Sequence, residues 1–130
     1  MNSSWFYNWN GKNILVVEDD QINFSYLDTL LKPTNARVYH AERGEDAIEL
    51  FQKISFIHVV LMDIRLPGIT GLETTRQLMA LRKDLAVIAQ TAYAEECDRE
   101  AAFDAGCCEF IAKPIRANEM LDLIKKYITN

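Results

Sequence analysis

The chain has 130 residues, 49% of them apolar and 25% charged, which suits one soluble domain and is too short for two cores. A net charge of −5 and a pI near 5.0 make non-specific nucleic-acid binding a poor fit, because that needs a basic surface. No apolar run approaches the ~20 residues of a membrane span, and residues 1–9 lack the basic start and apolar stretch of a secretory leader.

The opening MNSSWFYNWNGK belongs to no regular element, yet it carries Trp5, Phe6, Tyr7 and Trp9, more aromatics than a disordered tail would hold. Residues 1–12 are therefore read as an arm packing on the domain or a linker remnant of a longer protein, with the folded domain over 13–130. Residues 13–17 form a short apolar run ending in three acids, Glu18, Asp19 and Asp20. Ile22, Tyr26, Leu27, Leu30 and Leu31 then recur at helical spacing until Pro33. Residues 36–40 read as a second strand. Ala47, Ile48, Phe51 and Ile54 mark a second helix after Gly44. Residues 59–62 are a third strand, apolar throughout. Thr70 opens a third helix, with Glu73 at capping-box spacing and expected to reach back. Residues 85–89 are a fourth strand, 95–104 a fourth helix ending near Gly106, and 109–112 a short fifth strand. Ala117, Met120, Leu121, Ile124 and Ile128 stripe the last helix.

Five strand–helix repeats argue for a parallel sheet, because parallel strands need crossover helices. The first, third and fourth strands are continuous apolar runs, as expected when helices cover both faces. The expected fold is a single three-layer, doubly wound α/β domain with a five-stranded parallel sheet in the order 2-1-3-4-5.

Ligands in such sheets bind beyond the carboxyl ends of the strands, at the switch point between the first and third. The residues there are Glu18, Asp19 and Asp20 after the first strand, Asp63 after the third, Gln90 and Thr91 after the fourth, and Lys113 and Pro114 after the fifth. One carboxylate after a strand is more often a loop residue or a helix cap. Acids, a hydroxyl and an ammonium gathered at one edge are harder to dismiss. Crowded carboxylates repel, and a hard divalent cation offsets that repulsion. Metal, Lys113 and Thr91 around one carboxylate are equipment for phosphoryl transfer. Neither GxxxxGK[ST] nor GxGxxG is present, so ATP bound here is not the expected donor. Asp63, the only acid at its strand end, is the best nucleophile.

Cys97, Cys107 and Cys108 are odd in number and have no framework spacing, which points to reduced thiols in a cytoplasmic protein. The adjacent Cys107 and Cys108 read as two half-buried residues at a strand start rather than a redox pair. Two histidines, His40 and His58, make no zinc constellation.

The segments ILVVEDD, LMDIRLPGITG, QTAYA and AGCCEFIAKPI resemble the receiver domains of two-component response regulators, over about residues 13–128. The wording VEDDQIN, QTAYA and IAKPI is most similar to receivers at the C-terminus of bacterial hybrid histidine kinases. The resemblance implies a flavodoxin-like fold with Asp63 as phosphoacceptor. It implies a Mg²⁺ (or Mn²⁺) site formed by Glu18, Asp19, Asp63 and the backbone carbonyl of Arg65. It gives Thr91 as the switch hydroxyl with the Ala92 amide nearby, Lys113 as the lysine pairing with the phosphoryl oxygens, Lys113–Pro114 as a cis bond, and Phe110 as the rotating aromatic. Asp20 is assigned to capping the first helix. Arg65 and Tyr93 occupy variable positions beside the site and are expected to limit water access to the acyl phosphate.

The function so implied is a phosphorelay step. A phosphohistidine on a histidine kinase or histidine phosphotransfer domain passes its phosphoryl group to Asp63, and a two-state switch follows. Such a domain catalyses its own phosphorylation and dephosphorylation but turns over no separate substrate, although the parent chain of a hybrid would be a kinase. It would be cytoplasmic, with no direct contact to nucleic acid or membrane, and a homodimer through the fourth helix, fifth strand and fifth helix is a candidate assembly. No output domain follows Ile128, so the expected contexts are the receiver of a hybrid kinase or a stand-alone regulator. Three rivals fit less well. An aspartyl-phosphate phosphatase wants a second acid where Arg65 stands. A degenerate binding module would not keep Asp63, Thr91 and Lys113. A flavin-binding protein would not place three acids where a phosphate must sit.

Overall fold

The computed structural model of the chain describes residues 7–92 and 95–128. Its elements alternate as expected: β1 (Asn13–Val17), α1 (Gln21–Leu31), β2 (Arg37–Ala41), α2 (Gly44–Lys53), β3 (Val59–Asp63), α3 (Gly71–Leu81), β4 (Ala86–Thr91), α4 (Glu96–Ala105), β5 (Glu109–Ala112) and α5 (Ala117–Ile128). The five strands are all parallel, in the order β2-β1-β3-β4-β5.

Side chains alternate across each strand and fill two cores. Ile14 and Val16 of β1, Val59 and Leu61 of β3, and Ile88 of β4 pack with Leu27, Leu30 and Leu31 of α1 and with Met120, Leu121, Ile124 and Ile128 of α5. Leu15, Val17, Val60, Met62, Val87 and Ala89 face the other way, onto Ala47 of α2, Leu78 of α3 and Ala102 of α4. Of the stripe read from α5, Met120, Leu121, Ile124 and Ile128 are buried and Ala117 is half-buried.

Asp20 caps α1 as expected, accepting hydrogen bonds from the amides of Ile22 (2.9 Å) and Asn23 (3.3 Å). Pro33 does stop α1, and the chain leaves through a short 3₁₀ turn, Lys32–Thr34. Thr70 caps α3 by accepting from the Glu73 amide at 3.1 Å. The Glu73 carboxylate binds along the helix instead, accepting from Gln77 and pairing with Arg76.

Three strands run further toward their carboxyl ends than sequence patterning implied. Asp63, Gln90 and Thr91 are strand residues rather than loop residues, and β2 extends to Ala41. The cause is backbone pairing, which does not depend on side-chain polarity. The amide of Ile64 donates to Gln90 (3.2 Å), that of Lys113 to Thr91 (2.8 Å) and that of Glu18 to Ala41 (2.9 Å). The polar residues at the sheet edge are thereby held on a rigid ladder.

Of the opening stretch, Trp9 is buried in the α1–α5 core, and its amide donates to the Thr34 carbonyl at 2.6 Å. Tyr7 packs on Trp9 and donates its hydroxyl to Asp122 of α5. Residues 1–6, including Trp5 and Phe6, lie outside the described residues. No helix among the described residues is long and apolar enough to cross a membrane.

Candidate functional site

The ladder register builds the site. Val17 lies beside Met62, so the next residues, Glu18 and Asp63, meet at the end of β1 and β3. Asp63 is also in register with Gln90 of β4. Lys113 follows β5, with Lys113–Pro114 in the cis form. Its ammonium donates to Glu18 Oε1 at 3.0 Å and to Asp63 Oδ2 at 3.2 Å. The other Asp63 oxygen, Oδ1, accepts from the Arg65 amide at 2.9 Å. Glu18 is fully buried and Asp63 nearly so, whereas Asp19 is exposed. A cleft of about 220 Å³ opens over these groups, lined by Glu18, Asp19, Asp20, Asp63, Arg65, Ala92 and Lys113.

Burial raises the Asp63 pKa to about 6, helped by Glu18 close by and only partly opposed by the Arg65 amide and the Lys113 charge. Burial also acts to raise Glu18, but hydrogen bonds from Asp63, Lys113 and Asn23 outweigh it and hold Glu18 below the usual carboxylate range. Lys113 is raised, because its two carboxylate partners outweigh the cost of desolvating the ammonium. The site therefore concentrates negative charge against one cation.

Glu18, Asp19 and Asp63 each bring one carboxylate oxygen within 4.8 Å of the others. All the donors are hard oxygens, and two of them belong to buried side chains. Such a set fits a small divalent cation of the Mg²⁺ type, which takes oxygen ligands and keeps several waters.

Thr91 and Phe110 take the sheet face opposite to that of Asp63. Thr91 is fully buried at the end of β4, and its neighbours in the alternation, Val87 and Ala89, face α2–α4. Phe110 is half-buried against that same core and pairs with Ala89, a diagonal neighbour of Thr91. Hydroxyl and aromatic thus share one sheet face, while Ala92 lines the cleft. Tyr93 lies outside the described residues.

Four contacts escape sequence reasoning. Asn23 donates its side-chain amide to Glu18 Oε1 from the first turn of α1. His40 Nε2 lies 2.8 Å from the Glu18 carbonyl oxygen, with its ring stacked on Phe24 at 3.7 Å. Arg65, at the edge of the cleft, reaches Asp98 of α4, with Nη2 at 3.1 Å from Oδ1. Gly71 packs α3 directly on the backbone of Asp63 and Ile64, where a Cβ would meet the Asp63 carbonyl oxygen and lie 2.6 Å from Ile64 Cα. Only Asn23 offered a signal, as an amide one helical turn past the acids. His40 and Arg65 have partners distant in sequence, and Gly71, one loop after Asp63, packs on backbone that no side-chain pattern marks.

A family model described as the response regulator receiver domain matches residues 14–125. The polar-differentiation response regulator DivK of Brucella ovis is 31% identical over 119 residues, spanning 90% of this chain and 96% of DivK. Among solved structures, the receiver domain of sensor histidine kinase PA1611 from Pseudomonas aeruginosa is 30% identical, with a TM-score of 0.84 over 92% of this chain and 99% of that one. That structure holds a magnesium ion coordinated in its active site cleft. The response regulator TrrA of Thermotoga maritima, solved with Mg²⁺ and BeF, is 30% identical, with a TM-score of 0.80 over 88% and 97% of the two chains.

Proposed function

We propose a function from one premise: this chain belongs to the response regulator receiver domain family. Asp63 is the phosphoacceptor of a phosphorelay. The observation that carries this reading is the setting of Asp63: nearly buried at the cleft floor, with the Lys113 ammonium 3.2 Å from one carboxylate oxygen and the Arg65 amide on the other.

In the proposed step, an Asp63 oxygen attacks the phosphorus of a phosphohistidine on a kinase or histidine phosphotransfer partner. The new P–O bond forms as the P–N bond breaks, and the imidazole leaves with the electron pair and takes up a proton. Lys113 stabilises the charge on the transferring group. The Arg65 amide holds the attacking carboxylate in place. Glu18 and Asp19, with Asp63 and the Arg65 carbonyl, would hold Mg²⁺, which offsets charge between nucleophile and phosphoryl oxygens when bound. Thr91 and the Ala92 amide then serve the phosphoryl oxygens, and Phe110 follows Thr91 on the shared sheet face. That movement biases a two-state element whose phosphorylated form is read by a partner.

Incubation with acetyl phosphate and Mg²⁺, followed by intact-mass measurement, tests the reading. Wild type should gain one phosphate and Asp63→Asn none. No wild-type adduct, or an equal one on the variant, overturns it.

For context, we favour the receiver of a hybrid histidine kinase in the cytoplasm. The wording VEDDQIN, QTAYA and IAKPI supports it, as does the likeness to the PA1611 receiver. The free cysteines suit a reducing compartment. A second reading, a stand-alone regulator, is favoured by the match over 96% of DivK.

A further inference from the structure

Gln90 is the residue beside Asp63 that the reading above does not use. It is fully buried, and neither its Oε1 nor its Nε2 has a hydrogen-bond partner among the described residues. Burying an amide without partners is costly, and a leucine would fill the same place without that cost. A buried orphan next to a reacting group calls for a role.

The ladder says where its side chain lies. Gln90 is in register with Asp63 on one side and Ile111 on the other. It follows Ala86 and Ile88 in the alternation, so it faces the α1–α5 side, opposite to Thr91. Lys113, two residues beyond Ile111, takes that face too. The strand order places β4 between β5 and β3. To reach Asp63 and Glu18, the Lys113 side chain must therefore cross β4, a span of roughly 10 Å to β3 alone. The β4 residue beneath that span is Gln90.

We propose that Gln90 is a positioning residue for Lys113, its carboxamide oxygen accepting a hydrogen bond when the ammonium leaves Glu18 for phosphoryl oxygens on Asp63. In the unmodified protein the ammonium is shared between Asp63 (3.2 Å) and Glu18 (3.0 Å), the latter on the far side of β3. Once the phosphoryl group sits on Asp63, the strongest anion lies one strand nearer to β4. The lysine withdraws toward it, and one of its three N–H groups comes within reach of Gln90. The amide is then a cost carried at rest and relieved in the phosphorylated form, so it shifts the two-state population toward that form.

The inference rests on Asp63 as phosphoacceptor. Its test uses the full chain with Gln90→Leu and, to keep side-chain length, Gln90→Met. Unfolding midpoints are measured without additions, with Mg²⁺, and with Mg²⁺ plus beryllofluoride as phosphoryl mimic. The decay of the acetyl phosphate adduct is followed by intact mass. Both variants should be at least as stable as wild type at rest and should bind Mg²⁺ equally well. Beryllofluoride should bind them roughly 10–100-fold more weakly, the worth of one hydrogen bond to a charged group, and the adduct should decay faster. Wild-type beryllofluoride affinity and adduct lifetime in both variants overturn the role of Gln90 alone. So does a loss of resting stability in both, which would mean that the amide is already partnered. A wild type that takes neither beryllofluoride nor phosphate overturns this inference together with the reading of Asp63.

Discussion

The Lys113 ammonium donates to Asp63 Oδ2 at 3.2 Å across a separation of 50 residues, and the same group donates to Glu18 at 3.0 Å. One cation thus holds two buried carboxylates that would otherwise face each other unopposed.

Replacing Lys113 with Met should therefore destabilise the protein at neutral pH. The lysine side chain is 19% exposed, so the loss should be about 1–3 kcal/mol, less than for a fully buried pair. Urea unfolding at pH 7.5 and pH 5 measures it. The loss should shrink at pH 5, where Asp63 takes up a proton and one of the facing charges disappears. An equal loss at both values would mean that the lysine acts through packing alone.

The raised Asp63 pKa gives a second pH effect. Its value in the fold, about 6, lies above the ordinary 3.8. The contribution of Asp63 to stability is therefore fully present at low pH and is lost as pH rises through about 6. Glu18 is lowered and acts in the opposite sense, losing its contribution as pH falls. Comparison with Asp63→Asn isolates the aspartate. Without metal, the variant should gain on wild type by about 1–3 kcal/mol between pH 4 and pH 7.5. Mg²⁺ should narrow that gap, because metal and proton compete for the same oxygens.

The Arg65–Asp98 pair is partly exposed, with the Arg65 side chain 54% and the Asp98 side chain 17% accessible. Its loss should change stability by no more than about 1 kcal/mol. It nevertheless ties Arg65, which lines the cleft, from the β3–α3 loop to α4. Arg65→Ala and Asp98→Ala should each shorten the lifetime of the acyl phosphate by admitting water. Mass measured at intervals after removal of acetyl phosphate follows this directly. Unchanged decay in both variants would remove the arginine as a water shield.

Gly71 is the backbone contact behind Asp63. Gly71→Ala places a methyl group against the Asp63 carbonyl and 2.6 Å from Ile64 Cα, where no side chain can move aside. The cost should be about 1–3 kcal/mol. Phosphorylation should slow as well, since the strand end that carries the nucleophile must shift. A thermal melt and an acetyl phosphate time course check the two effects separately.

Much of this protein is legible from residue order. The alternation of apolar runs and 3.6-residue stripes determined five strands, five helices and a doubly wound sheet, because each crossover helix must bury its stripe on the sheet. Asp20 and Thr70 announced helix starts through their side-chain chemistry, which acts over three residues and so shows in a short window. Glu18, Asp19, Asp63, Thr91 and Lys113 stood out because each follows or ends an apolar run.

What tertiary structure decided is which of these groups meet and on which face. The side-chain period of a strand is two, so Thr91 takes the face that Phe110 shares while Gln90, its neighbour, takes the α1–α5 face. That choice depends on strand register, which is set by backbone hydrogen bonds between segments far apart in the chain. Arg65 with Asp98 and His40 with the Glu18 carbonyl are likewise contacts between distant segments. Nothing local marks them, because the partner that gives each its meaning arrives only when the sheet has formed.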